Sequence, residues 1–214
     1  MQTNLDETIQ FLKQPGEGSL FVISGPSGAG KGTIVQALLP RHSRLTLSIS
    51  MTTRVPRRGE VEGQHYFFVS KEEFESRIEQ GQFLEYALYN GNYYGTPRTF
   101  VLNKIAGAED VILEIEVQGG QEIRKNWERR SVHIFVMPPS RANLLSRLQT
   151  RKTETEEAIQ ARLKRAEEEM GYLPDYDYYV INDQLEEAVQ TVSAIIQAER
   201  QRIFQSLLKG EKTI

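Results

Sequence analysis

Residues 25–33 read Gly-Pro-Ser-Gly-Ala-Gly-Lys-Gly-Thr. Glycines at this spacing let the backbone curl until successive N–H groups face a single anion. Lys31 adds a full positive charge at the outer end of that curl. Upstream, Leu20–Ile23 is an uninterrupted apolar run rich in β-branched and aromatic residues, the pattern of a strand buried on both faces. Downstream, Ile34, Val35 and Leu38 recur at helical spacing. Strand, glycine turn, lysine and helix together make a phosphate-binding loop, and the positive end of the helix dipole points at the same place. Gly25, Pro26, Ser27, Gly28, Ala29, Gly30, Lys31, Gly32 and Thr33 are therefore assigned to a nucleoside triphosphate such as ATP. One position departs from the pattern. A hydroxyl that could reach Mg²⁺ is expected directly after the lysine, but Gly32 stands there and Thr33 follows one step later.

Other polar residues invite chemistry with less insistence. Arg54 and Arg57 lie three apart in the basic, proline-containing loop 51–59, placed either to fork onto one phosphate or to be solvated. Glu114 and Glu116 alternate along the apolar run Val111–Val117, so on a strand they would share one face. Two acids on one face call for a cation such as Mg²⁺ held through water, or form a salt-bridged pair at a sheet edge. Arg147 and Arg151 are four apart on one helical face. His42, His65 and His133 are scattered and show no metal-binding spacing.

The elements that must position these groups follow from periodicity. Residues 3–14 predict a short amphipathic helix with a Thr3–Asp6 capping box, ended by Pro15-Gly16. Leu45–Ser50 predicts a strand. His65–Val69, a helix from Ser70, and Phe83–Tyr89 with an Asn90-Gly91 hairpin signal predict a small α+β insertion. A helix near 97–106, the strand Val111–Val117, a helix from Gln118, the strand Val132–Val136 and a helix Arg141–Leu148 follow. A long helix to Met170 and the strand Tyr178–Ile181 come next. A last helix, capped by Asp183, carries an apolar stripe of Leu185, Val189, Val192, Ile196, Ile203 and Leu207. Strands alternating with helices imply an α/β fold with a parallel sheet wound by right-handed crossovers.

Composition bounds the function. The chain has 214 residues, enough for one medium domain with inserted subdomains, and its net charge of −3 argues against nucleic-acid binding. The count of 0 cysteines excludes disulfides, thiolate zinc sites and thiol catalysis. Residues 1–15 carry Asp6 and Glu7 and no continuous apolar stretch, so no signal peptide is expected, and no segment suits a membrane helix. The expectation is a cytoplasmic protein with no membrane partner, a monomer or small homo-oligomer.

Linked motifs then narrow the reading. They are Gly-Pro-Ser-Gly-Ala-Gly-Lys at 25–31, Ser-Met-Thr-Thr-Arg-Val-Pro-Arg at 50–57 and Gly-Glu-Val-Glu-Gly at 59–63 ahead of Tyr66. Phe-Leu-Glu at 83–85, Gly-Asn-Tyr-Tyr-Gly at 91–95 and Arg-Lys-Thr-Glu-Thr-Glu at 151–156 complete the set. In this order they resemble guanylate kinases, over roughly residues 18–205. The resemblance implies a P-loop NTPase core with a parallel sheet flanked by helices, built from residues 18–51, 97–147 and 166–208. It also implies a GMP-binding insertion at 52–96, a short helical lid at 148–165 and an N-terminal helical extension at 1–17. The implied reaction is ATP + GMP giving ADP + GDP with Mg²⁺, with dGMP a candidate second acceptor. By the same resemblance Arg54, Arg57, Tyr66 and Tyr94 grip the GMP phosphate. Glu85, with Ser50 and Thr96, reads the guanine edge. Glu116 joins the GMP site and shares metal binding with Glu114. Arg147, Arg151 and Arg162 join Lys31 and Arg54 as the catalytic cations, and Asn182 contacts the ATP adenine. The family usually carries aspartates where Glu114 and Glu116 stand. Two other readings stay open: a kinase of the same fold for a different phosphorylated acceptor, and a non-catalytic phosphopeptide-binding module.

Overall fold

In the computed structural model, which describes residues 16–89, 91–149 and 155–202, Leu20–Ser24 forms strand β1, buried along its whole length. Side chains alternate across a strand, so Phe21 and Ile23 enter one apolar layer and Leu20 and Val22 the opposite one. The first layer contains Ile34, Val35 and Leu38 of α1 (Lys31–Leu38) and, from the C-terminal helix Leu185–Arg200, Val189, Val192 and Ile196. The other strands and helices lie between these two in the chain. In order they begin with β2 (Leu45–Leu47), β3 (Met51–Thr52) and β4 (Phe67–Phe68). Helix α2 (Lys71–Glu79), the hairpin β5 (Phe83–Tyr89) and β6 (Asn92–Pro97), and α3 (Arg98–Ala106) follow. Then come β7 (Asp110–Glu114), α4 (Val117–Asn126), β8 (Ser131–Met137), α5 (Arg141–Gln149), α6 (Glu156–Met170), β9 (Tyr178–Ile181) and α7, the C-terminal helix.

The large sheet runs β2-β7-β1-β8-β9 with every pairing parallel, so β1 is central and its carboxyl end opens at the sheet's ligand-binding edge. Val101, Ile105 and Ile123 from α3 and α4 close the second layer. A second sheet, β4-β3-β6-β5, stands beside that edge, and α2 covers it. Phe74 of α2 stacks on Phe83 and Tyr93 with ring centroids 4.3 and 5.1 Å apart. The chain changes sheet within three residues. Ser48 N–H still bonds to Ile112 of the large sheet at 2.9 Å, while the Ser50 carbonyl accepts from Phe67 of the small one at 2.9 Å. Helices α5 and α6 pack on each other through Leu144, Leu148, Ile159, Leu163 and Ala166, a separate apolar cluster.

Several sequence expectations are corrected. The strand expected over Leu45–Ser50 stops at Leu47, because Ser48–Ser50 is the crossing between sheets. His65–Val69 contracts to Phe67–Phe68, since the short β3 offers no more backbone to pair with. The run Val111–Val117 is a strand only to Glu114, and Val117 already opens α4. Gln184, not Asp183, is the N-cap of α7, without a side-chain bond, and Leu185 is 41% exposed rather than part of the stripe. The helix expected at 3–14, Asn90, residues 150–154, Ile203 and Leu207 lie outside the described residues. Among the described residues no helix is long and apolar enough to cross a membrane.

A buried ionic joint ties the far end of the large sheet to α7. Asp110, whose side chain is 3% exposed, accepts from Ser19 N–H at 2.8 Å and from Arg200 Nε at 2.5 Å. His42 bonds to Ser193 of the same helix at 2.8 Å, and burial pulls its pKa down. Removing one member of such a joint leaves the other desolvated and uncompensated. Asp110→Ala is expected to cost about 3 kcal/mol of unfolding free energy, read from urea denaturation. An unchanged denaturation midpoint would show that the joint does not hold the sheet to α7.

Candidate active site

The loop after β1 is braced from three directions. Gly25 has φ +140°, and a Cβ there would stand 2.0 Å from the Val136 carbonyl oxygen, so only glycine lets β1 turn against β8. Gly30, at φ +91°, meets Asn182 in the same way, with Nδ2 only 2.3 Å from an added Cβ. Asn182, at the end of β9, donates to the Ala29 carbonyl at 2.7 Å. Arg147 of α5 donates to the Asn182 carbonyl at 2.7 Å and to that of Ala29 at 3.4 Å. Arg162 of α6 reaches the Ser27 hydroxyl at 2.6 Å. Lys31 Nζ donates to the carbonyls of Gly25 at 2.6 Å and Pro26 at 3.2 Å. Cations thus sit on loop carbonyls beside an α-helix N-terminus, where the backbone and dipole favour an anion. Thr33 lies exposed one step into α1.

Across the cleft, the small sheet gathers a second set. The Arg54 guanidinium lies 5.4 Å from the Tyr66 ring centre and 6.0 Å from that of Phe68. It donates to Glu60 at 2.7 Å, and Glu60 also accepts from the Arg57 backbone N–H at 2.7 Å. These two bonds, Arg54 first, hold the Glu60 carboxyl down at about 2. Arg54 and Arg57 therefore do not converge as a bare fork: Glu60 organises both, and the Arg57 residue is exposed. Tyr94 meets Tyr66 edge to face with centroids 6.0 Å apart. Glu85 sits where β5 slips register against β6, between Phe83 and Tyr86. Its Oε1 accepts from Thr96 at 2.6 Å, and its other oxygen lies 3.1 Å from where a Cβ on Gly119 of α4 would be. Burial pushes the Glu85 carboxyl up, against the Thr96 bonds that pull it down.

A cavity of about 140 Å³ lies between the two sheets, lined by Ser48, Ser50, Tyr66, Thr96 and, from the end of β7, Glu114 among others. Glu60 and Ser48 were missed by sequence reasoning. The Arg-x-x-x-x-x-Glu relation across a loop has no periodic signature, although the Gly-Glu-Val-Glu-Gly stretch was visible. Among the described residues the buried Ser48 hydroxyl has no hydrogen-bond partner, and Ser48 lines this cavity two residues before Ser50.

The two acids expected on one strand face separate. Glu114 ends β7 and faces the first turn of α1, whereas Glu116 is the N-cap residue of α4. Alternation along a strand no longer governs where β7 has ended, at Glu114, and Glu116 already caps α4. Glu116 pairs with Arg165 of α6, which also holds Glu169 at 3.1 Å. Arg151 lies outside the described residues. Among the described residues no group of three or more His, Cys, Asp or Glu clusters to hold a metal alone.

An anion loop at the centre of a parallel sheet, facing a second sheet with its own arginine and buried carboxylate, defines a P-loop kinase of a small acceptor. Comparison with known proteins gives the family. Residues 17–199 match the model described as guanylate kinase. The guanylate kinase of Caldanaerobacter subterraneus subsp. tengcongensis is 50% identical, over 87% of this chain and 90% of its own. That of Desulfitobacterium hafniense is 49% identical, over 87% and 92%. The crystal structure of guanylate kinase from Anaplasma phagocytophilum is 33% identical with a TM-score of 0.69, covering 87% and 88% of the two chains. The chain belongs to the guanylate kinase family.

The raised Glu85 carboxyl yields a pH signature. A carboxylate can accept from donors on a base; the protonated acid opposes one of them. For a group whose pKa is raised in the free protein, that protonation begins above the ordinary glutamate range as pH falls. The expected kcat/KM for GMP therefore declines on the acid side with an apparent pKa above that range, and Glu85→Gln removes the limb while lowering kcat/KM by roughly two orders of magnitude. An acid limb that survives Glu85→Gln unchanged would take this role away from Glu85.

Proposed function

We infer that this chain transfers the terminal phosphoryl group of ATP to GMP, giving ADP and GDP, and that its site residues divide the work as follows. The observation that carries the reading is that Glu114, whose carboxylate lies beside Gly32 of the anion loop, lines one cavity with Ser50, Tyr66 and Thr96. Residues 25–33 hold the ATP phosphates, and Asn182 borders the adenine. Ser50, Glu85 and Thr96 read guanine: its N1–H and exocyclic amine both donate toward a carboxylate, whereas adenine sets a lone pair against it. Arg54, Arg57, Tyr66 and Tyr94 hold the acceptor phosphate as the nucleophile, and Glu60 aims Arg54.

Phosphoryl transfer depends on positioning and on cations around the moving charge, with little covalent work for the protein. Lys31 and Arg147 rest on loop carbonyls and Arg162 on Ser27, each within reach of the phosphate loop. They and Arg151 supply the positive charge. Mg²⁺ enters with ATP; Glu114 is the carboxylate nearest the loop, and Glu116 completes the acceptor side once Arg165 releases it. Residues 18–51, 97–147 and 166–208 serve as the core, 52–96 as the GMP-binding part and 148–165 as the lid, whose closure excludes water. The assigned residues address base and phosphate but not the sugar, so dGMP is a second acceptor. All of these groups come from one chain, so a monomer suffices, and the cytoplasm, where both nucleotides occur, is its compartment.

ADP release from ATP and Mg²⁺ should be measured with GMP, dGMP, AMP, CMP, UMP or no acceptor. Turnover with GMP and dGMP is expected to exceed that with every other condition by roughly two orders of magnitude or more. Equal turnover with AMP would refute the guanine-reading role. Turnover with no acceptor in the panel would refute the kinase reading.

A further inference from the structure

Gly32 is not demanded by its backbone. The residues with left-handed φ in this loop are Gly25, Gly28 and Gly30, while Gly32 lies inside α1 in ordinary helical conformation. Glycine in a helix is less favourable than alanine, so an unstrained glycine here needs another reason. Space supplies it. A Cβ on Gly32 would stand 3.1 Å from both carboxylate oxygens of Glu114 and 3.5 Å from the carbon between them. The Glu114 side chain therefore lies across the bare Cα of Gly32, in the volume that a side chain at position 32 would need.

That volume has a chemical meaning in a phosphate loop. The residue directly after the lysine is where a hydroxyl serves as the protein's oxygen ligand to the Mg²⁺ of the bound nucleotide. Here no hydroxyl is available at that position, and a carboxylate fills the gap from the opposite strand. Aspartate in place of Glu114 would be one methylene shorter and would fall back toward β7. Among the described residues no hydrogen-bond donor occupies the Glu114 carboxylate. It faces solvent on one side and the cavity on the other, and burial pushes its pKa up while the Lys31 charge pulls it down. A carboxylate held beside the loop lysine is the hard oxygen donor that Mg²⁺ takes together with phosphate oxygens and waters.

We propose that Gly32 and Glu114 form a compensating pair, in which Glu114 reaches over the glycine and provides the metal-ligand oxygen that a residue-32 hydroxyl would otherwise provide. Glu116, tied to Arg165 at the start of α4, plays no part in it. This rests on the reading of residues 25–33 as the ATP site, and its test keeps the two apart.

Calorimetry should record binding of the non-hydrolysable analogue AMPPNP with EDTA and with Mg²⁺, with Mn²⁺ paramagnetic resonance reporting the bound metal. The unmodified protein is expected to bind more tightly with Mg²⁺. In Glu114→Gln the metal-dependent gain, taken as the ratio of the two affinities, should fall by roughly tenfold or more. Gly32→Ser combined with Glu114→Gln should regain most of it, since the hydroxyl now serves in place of the carboxylate. Full metal dependence in Glu114→Gln, or a double variant no better than Glu114→Gln, would overturn the pairing. Absence of AMPPNP binding to the unmodified protein even without metal would overturn the ATP site itself, and the pairing with it.

Discussion

A backbone loop can offer its N–H groups to an anion only if its carbonyls are satisfied elsewhere, and this constraint organises the molecule. The carbonyls of Gly25, Pro26 and Ala29 are taken by Lys31, Asn182 and Arg147. Those partners come from α1, from the end of β9 and from α5, so the loop has its shape only when the parallel sheet is complete. Stability and function meet here. The core layers on either side of β1 fix where the strand ends, and the strand's end decides where the phosphates go.

The second constraint is the crossing at Ser48–Ser50. Within three residues the chain leaves the large sheet for the small one, which places the acceptor residues opposite the anion loop without any long connecting segment. The small sheet has its own aromatic core around Phe74 and therefore holds Arg54, Tyr66 and Tyr94 as a unit. Helices α5 and α6 likewise pack on their own apolar cluster, and their inward cations Arg147 and Arg162 touch the loop from the other side. Three packed bodies thus border one cleft. Arg165 is the further link, since it ties α6 to Glu116 at the start of α4.

What was legible in the sequence was what is local. β1, the glycine loop and α1 are adjacent in the chain, and each follows from its own composition and periodicity. The carboxylate proposed to read the base could be named only by resemblance, because Glu85 owes its position to a register slip in β5 that no alternation pattern reveals. The Glu114–Glu116 pair failed for a physical reason: a shared face requires an extended chain, and the strand ends between them. Glu60 was passed over because its partners, Arg54 and the Arg57 amide, are chosen by a loop conformation rather than by spacing. Gly32 and Glu114 each looked irregular alone; only their contact across β7 and α1 connects them.

Lys31, which rests on the carbonyls of Gly25 and Pro26, is proposed to supply positive charge to the moving phosphoryl group. Single-turnover GDP formation in Lys31→Met, measured beside GMP binding to the same variant, tests it most directly. The account predicts a rate lower by roughly three orders of magnitude with GMP affinity unchanged, because the acceptor pocket stands on the other sheet. A rate within about twofold of the unmodified protein would contradict it, since an interaction made in the transition state cannot be removed so cheaply.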